Sequence, residues 1–297
     1  MSGFPQYKRL FTILFNILVL VSTQAMASDN WPMFRGVSAR GASDNSNLPL
    51  EWDAKKKKNI EWKVAVPGIG WSSPVVHSGR IYLTSAVSEG EIEPRKPGLY
   101  FGGDRKEPIK HIHHFLVLCL DIESGNYLWQ REVLSTQPVT PIHIKNSYAA
   151  ETPVTDGERV YAYFGSHGLY CLDKEGKELW RKMFKPYEMR NGWGTGASPI
   201  LEGDQLIIVN DNMEDSWLAA FNKNNGKQLW KTKREEPSNW STPFVWKHDG
   251  ISELILTGRN RTRSYDLLGN ERWSLKWKSR TSIVIPTPFE AHGLLYI

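Results

Sequence analysis

The chain has 297 residues, of which 40% are hydrophobic, 23% charged and 12% aromatic, with 13 Trp, 24 Gly, 17 Pro and only 2 Cys. This balance excludes a disordered tail, a collagen-like fibre and a small disulfide-stapled fold. The formal net charge of +5 is too weak a bias to imply a polyanionic partner such as a nucleic acid.

Lys8 and Arg9 precede an apolar run over residues 10–21, and Ala25-Met26-Ala27 follows it. The run is shorter than the roughly 20 residues that a spanning helix needs. A basic start, a short apolar segment and small residues before a cleavage point read as a secretory signal peptide over residues 1–27, with an uncleaved anchor as the alternative. Export to the periplasm or the extracellular space is therefore expected, with no stable membrane insertion after cleavage. Neither cysteine lies in this region, which disfavours a lipoprotein. Residues 28–58 read as a lead-in segment that ends in a solvated basic loop, Lys55 to Lys58.

From residue 59 onward one phrase recurs. A strand ending in Asp or Asn leads to a Gly turn and then to Trp: Asp121 to Gly125 to Trp129, Asp173 to Gly176 to Trp180, Asn222 to Gly226 to Trp230, and Asp266 to Gly269 to Trp273. Upstream of each lies a Ser-Pro or Thr-Pro pair at Pro74, Pro153, Pro199, Pro243 and Pro288; the last three spacings are 46, 44 and 45 residues and the first is 79. A period in the forties belongs to four-stranded propeller blades. Asp or Asn accepts hydrogen bonds from the turn amides, Gly supplies positive φ, and Trp fills the wedge between adjacent sheets.

In the third repeat this predicts strands over 197–201, 205–210, 217–222 and 228–232. The orphan segment 59–64, which contains Trp62, reads as an outer strand that closes the ring on the last blade. Ala291-His-Gly-Leu-Leu-Tyr-Ile297 matches the second strand of a blade. Four full blades and part of a fifth are thus expected within 59–297, as a C-terminally truncated piece of a longer propeller. Cys119 and Cys171 fall in the slot held by Ala220 and Ser264 in the other repeats. Neighbouring sheets stack about 10 Å apart, beyond the roughly 7 Å reach of a disulfide, so two free buried thiols are expected.

The Asp-x-x-x-Gly-x-x-x-Trp phrase resembles the tryptophan-docking repeat of pyrroloquinoline quinone (PQQ) propellers, which are usually eight-bladed. Trp31-Pro-Met-Phe-Arg-Gly36, Gly70-Trp-Ser-Ser-Pro74, Ile144-Lys-Asn-Ser-Tyr148 and Ser238-Asn-Trp-Ser-Thr-Pro243 are similar to segments of secreted bacterial PQQ-like repeat proteins. The resemblance runs from about residue 31 to the end and implies an all-β propeller of four-stranded antiparallel blades, with a parent of eight. It does not fix activity, because quinoprotein dehydrogenases, the propeller lipoprotein of outer-membrane barrel assembly and proteins without known activity share the repeat. Dehydrogenases of the family imply a PQQ-stacking Trp, a calcium site, a catalytic Asp and often an adjacent-cysteine disulfide. No Cys-Cys pair exists here.

Two constellations stand out. His111, His113 and His114 form a dense group; His111 and His113 would share one face of a strand and could contribute to a zinc or copper site, but no acid or thiol accompanies them at ligand spacing. They read as a polar run closing the long insertion over 87–110, and no metal site is assigned. The richer set precedes the inner strands, where loops open on a propeller's central channel: Trp71, Asn146, Tyr148, Glu151, Arg190, Asn191, Trp193, Asn239 and Trp240. Flat aromatics beside amide, carboxylate and guanidinium groups suit a planar or sugar-like ligand; the plainer reading is that they cap strands and pack loops. Glu151 with Asn191 or Asn239 offers oxygen ligands for calcium, without the compact Asp-rich loop that usually supports one.

No Ser-His-Asp order, phosphate loop or paired-carboxylate motif stands out, and no catalytic residue is assigned. The expected function is an exported, non-catalytic scaffold that binds a protein, glycan or small ligand without a cofactor. The alternative is a PQQ- and calcium-dependent oxidoreductase resembling alcohol or sugar dehydrogenases.

Overall fold

A computed structural model describes residues 30–43, 48–95, 104–277 and 283–297; the signal segment 1–27 lies outside the described residues. The described chain is built from antiparallel four-stranded meanders. Blade 1 comprises β1 (Val75–His77), β2 (Arg80–Ser88), β3 (His113–Asp121) and β4 (Tyr127–Thr136). Blade 2 comprises β5 (Val154–Thr155), β6 (Arg159–Tyr163), β7 (Leu169–Asp173) and β8 (Glu178–Lys182). Blade 3 comprises β9 (Ile200–Glu202), β10 (Gln205–Asn210), β11 (Trp217–Asn222) and β12 (Gln228–Lys233). Blade 4 comprises β13 (Phe244–His248), β14 (Ile251–Thr257), β15 (Arg261–Tyr265) and β16 (Glu271–Lys276). A two-stranded sheet, β17 (Phe289–Ala291) with β18 (Leu294–Tyr296), follows. Among the described residues there is no α-helix, and no helix is long and apolar enough to cross a membrane.

The middle strands of each blade are buried on both faces, which explains their near-continuous apolar runs such as Leu206 to Val209 and Leu218 to Phe221. The core therefore sits between blades. Blades 1 and 2 share one cluster, including Tyr82, Phe115, Val160 and Leu172; blades 2 and 3 share a second, including Tyr161, Leu169, Leu206 and Phe221; blades 3 and 4 share a third, including Ile207, Leu218, Leu254 and Tyr265.

The outer-strand Trp of each of blades 1 to 3 locks onto the hairpin turn of the following blade, whereas Trp273 of blade 4 donates to Glu253 of its own blade. Trp129 Nε1 donates to the Lys174 carbonyl at 2.8 Å and Trp180 Nε1 to the Lys223 carbonyl at 3.1 Å. At the third junction Gln205 acts as a relay, accepting from Trp230 Nε1 at 3.0 Å and donating to the Leu267 carbonyl at 3.0 Å. The indoles lie flat against the turn glycines. A Cβ on Gly125, Gly176, Gly226 or Gly269 would stand 2.5 to 2.6 Å from the ring atoms of Trp62, Trp129, Trp180 or Trp230, and all four glycines have positive φ. Glycine is thus required twice, for backbone hand and for close approach.

The pairing also shows how the Trp is aimed. In all four blades the register slips immediately after the small-residue slot, at Cys119/Leu120, Cys171/Leu172, Ala220/Phe221 and Ser264/Tyr265. The slot residue pairs directly with the docking Trp, and the skipped residue, Leu128, Leu179 or Leu229 in the first three blades, is exposed. Such a bulge re-aims the strand locally. Cys119 and Cys171 are free and buried as expected, and burial pushes their thiols up to about 11 and about 12 respectively.

One expected boundary needs correction. The inner strand of the third repeat begins at Ile200, because the Ser198 amide bonds across the blade boundary to Thr242 Oγ1 at 3.0 Å instead of pairing within its own sheet. Segment 59–64 pairs with no strand among the described residues. It does supply a docking Trp: Trp62 Nε1 donates to the Ile122 carbonyl at 2.8 Å, as the outer-strand Trp of a preceding blade would.

The lead-in crosses the far ends of the inner strands. Trp31 pairs with Val76 through two 2.8 Å backbone bonds, Asn30 Oδ1 accepts from the Ser78 amide, and the Pro32 carbonyl accepts from the Thr155 amide. Met33 joins the core between blades 2 and 3, Ala39 packs with Phe244, and the Arg35 guanidinium lies over Phe289. One short segment thereby touches β1, β5, β13 and β17.

The two uses of glycine can be separated by mutation. Gly203 has positive φ, but a Cβ there would meet no atom within 4 Å, whereas a Cβ on Gly176 would meet the Trp129 ring at 2.6 Å. Gly203→Ala is expected to cost about 1 kcal/mol from backbone hand alone. Gly176→Ala should approach the roughly 3–5 kcal/mol of a Trp129→Ala deletion. Urea unfolding of the three variants checks this, and equal losses for the two glycines would refute the docking account.

Candidate functional site

The segments that precede the inner strands meet at one mouth, and repeated backbone and hydroxyl bonds set their spacing. The amide of Ser73 donates to Thr152 Oγ1, that of Thr152 to Ser198 Oγ, and that of Ser198 to Thr242 Oγ1, each at 3.0 Å. One turn further out, Trp71 N donates to the Ala149 carbonyl and Trp240 N to the Val284 carbonyl. The Ser-Pro and Thr-Pro pairs found in the sequence are therefore a blade-to-blade ladder around the mouth.

This ladder brings most of the expected residues together and fixes their polar atoms. Asn146 Nδ2 donates to the carbonyls of Trp193 and Thr195, while its Oδ1 accepts from the Ser147 amide. Trp193 and Trp240 pack at 5.7 Å between centroids, tilted by 39°. Trp193 Nε1 donates to Asp104 at 2.6 Å and Trp240 Nε1 to the Gly194 carbonyl at 2.8 Å. Trp71 remains 54% exposed, but its Nε1 donates to the Lys145 carbonyl and the Arg95 guanidinium covers its ring at 4.9 Å. Asn191 adopts left-handed geometry within a short 3-10 turn, Arg190–Gly192, and the Arg190 amide bonds to Ser238 Oγ.

Tyr148 does not face the mouth. It is buried against His113, Phe115 and His167, and its hydroxyl donates to the Thr140 carbonyl. Asn239 is buried too, donating to Asp211 Oδ2 at 3.1 Å and to the Thr257 carbonyl. Glu151 is 1% exposed, and its Oε1 has no hydrogen-bond partner among the described residues. Burial pushes its carboxyl up to about 7, opposed by hydrogen bonding to Thr195; the buried hydroxyl pair Tyr163 and Tyr187, 3.0 Å apart, feels the same carboxylate.

Sequence reasoning missed the strongest electrostatic feature. Arg234 grips Asp211 with two bonds, Nε to Oδ1 at 2.7 Å and Nη2 to Oδ2 at 3.0 Å, and donates through Nη1 to the Tyr265 hydroxyl at 2.7 Å. Both charged side chains are fully enclosed. Burial alone would lower the Arg234 pKa, but the Asp211 carboxylate outweighs it and the net shift is upward. A second buried pair, Arg263 with Glu236, lies beside it. The available signal was polar residues where an apolar strand ends, Asn210-Asp-Asn212, together with Arg234 just beyond an outer strand.

The histidine group also resolves differently. Strand β3 begins at His113, so His111 stands outside it. His113 turns inward, and burial lowers its pKa. His114 meets Glu132 at 2.9 Å and Glu89 at 3.1 Å, which raise its pKa. The acids absent from the local sequence thus arrive from β4 and from the residue that follows β2, as ion-pair partners. Among the described residues no three such side chains are grouped to hold a metal ion.

These residues do not fit a PQQ and calcium pair. Both Asp211 oxygens are engaged by Arg234, and Asn239 turns its amide nitrogen toward that carboxylate. Glu151 lies among hydroxyls, with neither Asn191 nor Asn239 on it. Calcium takes about six to eight oxygen ligands. One face of Trp71 is taken by Arg95, and Trp193 and Trp240 tilt against each other.

Glu151 gives the mouth a measurable pH response. Its folded-state pKa lies above the ordinary 4.5, at about 7, so its protonated form is favoured by folding. That contribution is fully present below about pH 4.5 and is lost as pH rises through 7, with a magnitude on the order of 3 kcal/mol. Glu151→Gln should flatten stability over this window and raise the melting temperature above pH 7. Thermal unfolding across pH 4–9 tests it; an unchanged pH profile would remove Glu151 as the source.

Comparison with known proteins agrees with the blade architecture. A family model described as outer membrane protein assembly factor BamB matches residues 113–289, more than half of the chain. No curated protein matches the sequence. Among solved structures, the europium-containing methanol dehydrogenase is 12% identical over 83% of this chain and 48% of its own, with a TM-score of 0.52. The quinohemoprotein alcohol dehydrogenase ADHIIG of Pseudomonas putida HK5 is 12% identical over 83% of this chain and 40% of its own, with a TM-score of 0.51. BamB of Moraxella catarrhalis, 12% identical, is covered over 69% of its length and 80% of this chain at a TM-score of 0.38. The chain thus spans less than half the length of the two dehydrogenases. The docking repeats, the four-stranded blades and the match over residues 113–289 together place this chain in the PQQ-like β-propeller repeat family described as outer membrane protein assembly factor BamB.

Proposed function

We propose that this chain acts as an exported, non-catalytic propeller scaffold whose loop-bearing mouth binds a partner, with a protein favoured over a glycan or small molecule. The carrying observation is that the polar side-chain atoms of Asn146, Trp193 and Trp240 are already bonded, Asn146 and Trp240 to backbone carbonyls and Trp193 to Asp104. Such a mouth is a rigid, preformed surface, and the half-open Trp71 with Arg95 over its ring is the aromatic and cationic anchor that interface hot spots favour. The family's description as an assembly factor supports a protein partner. Residues 1–27 support export to the periplasm or beyond. The alternative, a PQQ- and calcium-dependent oxidoreductase, draws on the two dehydrogenases of like fold.

Both readings meet in one set of measurements. Calorimetric titration with PQQ and calcium is expected to show no tight binding, and dye-linked oxidation of alcohols and sugars no turnover. In crosslinking to native envelope proteins, Trp71→Ala should weaken capture by about tenfold or more. Tight PQQ binding with turnover that disappears in Glu151→Gln would overturn the scaffold reading.

A further inference from the structure

A cleft of about 300 Å³ opens between blades 2 and 3, away from the ladder of the mouth, where the outer edge of blade 2 faces β11 and β12. Its charge is unusual. The Lys182 ammonium sits over the Phe221 ring at 5.2 Å and that of Lys231 over the Trp217 ring at 5.1 Å. A ring face holds a cation in place without neutralising it. The closest carboxylate to Lys231 is Asp215, at 4.0 Å, and Glu214 Oε1 already accepts from the Glu188 amide. Lys185, exposed on the same lining, adds a third cation. Three ammonium groups thus face two carboxylates.

The second observation is a buried donor with nothing to bond. Asn212 Nδ2 donates to Asn210 Oδ1 at 2.8 Å, which fixes the orientation of the Asn210 amide. Asn210 Nδ2 is left without an acceptor although the residue is only 3% exposed. Buried donors are rarely left unmade, because the lost hydration is not returned. Asn210 lines both the cleft and a smaller cavity behind it that reaches Tyr163, Asp211 and, on the side of the mouth, Thr195 and Asn239. A ligand entering the cleft therefore meets a net positive rim, aromatic walls and, at the inner end, a residue whose amide donor lacks an acceptor. A cleft of this volume lies at the small end of the ligand-site range.

We propose that the cleft between blades 2 and 3 binds a short acidic saccharide, with its anionic group on Lys182, Lys185 and Lys231 and a hydroxyl or ring oxygen on Asn210 Nδ2. Acidic sugars combine a fixed negative group with many oxygen acceptors, and the side chains supply both needs within one recess. Asp215 and Gln228 on the lining accept from sugar hydroxyls. Two sources share this chemistry, carboxylated and sulfated sugars. The assignment rests on the reading of the chain as a binding scaffold, and it adds a site distinct from the mouth.

The test is calorimetric titration of the purified chain with trigalacturonic acid, with neocarrabiose 4-sulfate, and with neutral galactobiose. At least one acidic sugar is expected to bind, more weakly as salt is raised, and the neutral sugar is not; the two acidic arms separate carboxylate from sulfate. Lys185→Ala, an exposed change that leaves the melting transition in place, and Lys182→Gln should each weaken binding by about tenfold. Lys55→Ala, in the lead-in loop, controls for bulk charge and should bind as the parent does. Equal binding of neutral and acidic sugars, binding of none of them, or parent-like affinity in both cleft variants would overturn the proposal. Loss of sugar binding in Trp71→Ala with none in Lys185→Ala would move the ligand to the mouth, overturning this site while leaving the scaffold reading standing. PQQ-dependent turnover would do the reverse, overturning the scaffold reading while sugar binding still reports on the cleft.

Discussion

An indole laid flat on a glycine turn is the contact on which this architecture depends. A four-stranded antiparallel sheet cannot bury both its faces alone, and each blade here hides its middle strands only because another blade stands against it. The docking Trp sets that distance. Its ring fills the wedge at the outer edge, its Nε1 ties to a carbonyl one residue after the Asp or Asn of the next turn, and the turn glycine lets it come within van der Waals range. The bulge before each Trp and the small residue opposite it serve the same purpose. They explain why Cys119 and Cys171, with thiols held protonated by burial, belong to packing rather than to redox chemistry.

Fixing the outer edge also fixes the inner one. With blades held at constant spacing, a hydroxyl just before one inner strand reaches the amide just before the preceding one, and the same 3.0 Å bond recurs three times. The mouth is built on this ladder, so its aromatic and amide groups are drawn into holding loops together. The buried Arg234 and Asp211 pair follows the same logic. An isolated charge at that depth would be strongly disfavoured, and a two-point clamp with Tyr265 and Asn239 completing the hydrogen bonds makes it tolerable. The opposite ends of the inner strands are crossed by the lead-in.

The cleft between blades 2 and 3 contrasts with the mouth in its hydrogen bonding. At the mouth the Asn146 amide is bonded to two carbonyls, whereas in the cleft the Asn210 amide nitrogen has no acceptor, and Lys182 and Lys231 rest on rings, with Asp215 4.0 Å from Lys231. Satisfied groups rigidify a surface, and unsatisfied buried ones mark where something else completes the bonding. Glu151, with its orphaned oxygen near Tyr163 and Tyr187, is the corresponding strained point on the mouth side.

The sequence by itself determined the blades. Asp or Asn, Gly and Trp at fixed spacing specify a turn, its hand and a large ring on the following strand, which are local matters that a repeat displays openly. It also placed Cys119 and Cys171 in a shared buried slot, and it placed Trp71, Asn146, Trp193 and Trp240 near one mouth. Tertiary structure decided what those residues do. Whether an amide is free or bonded depends on atoms from another blade, such as the carbonyls of Trp193 and Thr195 that take both bonds of Asn146. It moved Tyr148 and Asn239 from the mouth into the interior and gave His114 two acids, Glu132 from β4 and Glu89 from just after β2. It joined Asp211 to Arg234, 23 residues apart, because strand-end polar residues find their partners only when sheets stack. Local spacing encodes the turn and the docking ring, while hydrogen-bond satisfaction and burial are properties of the packed assembly and have no local signature.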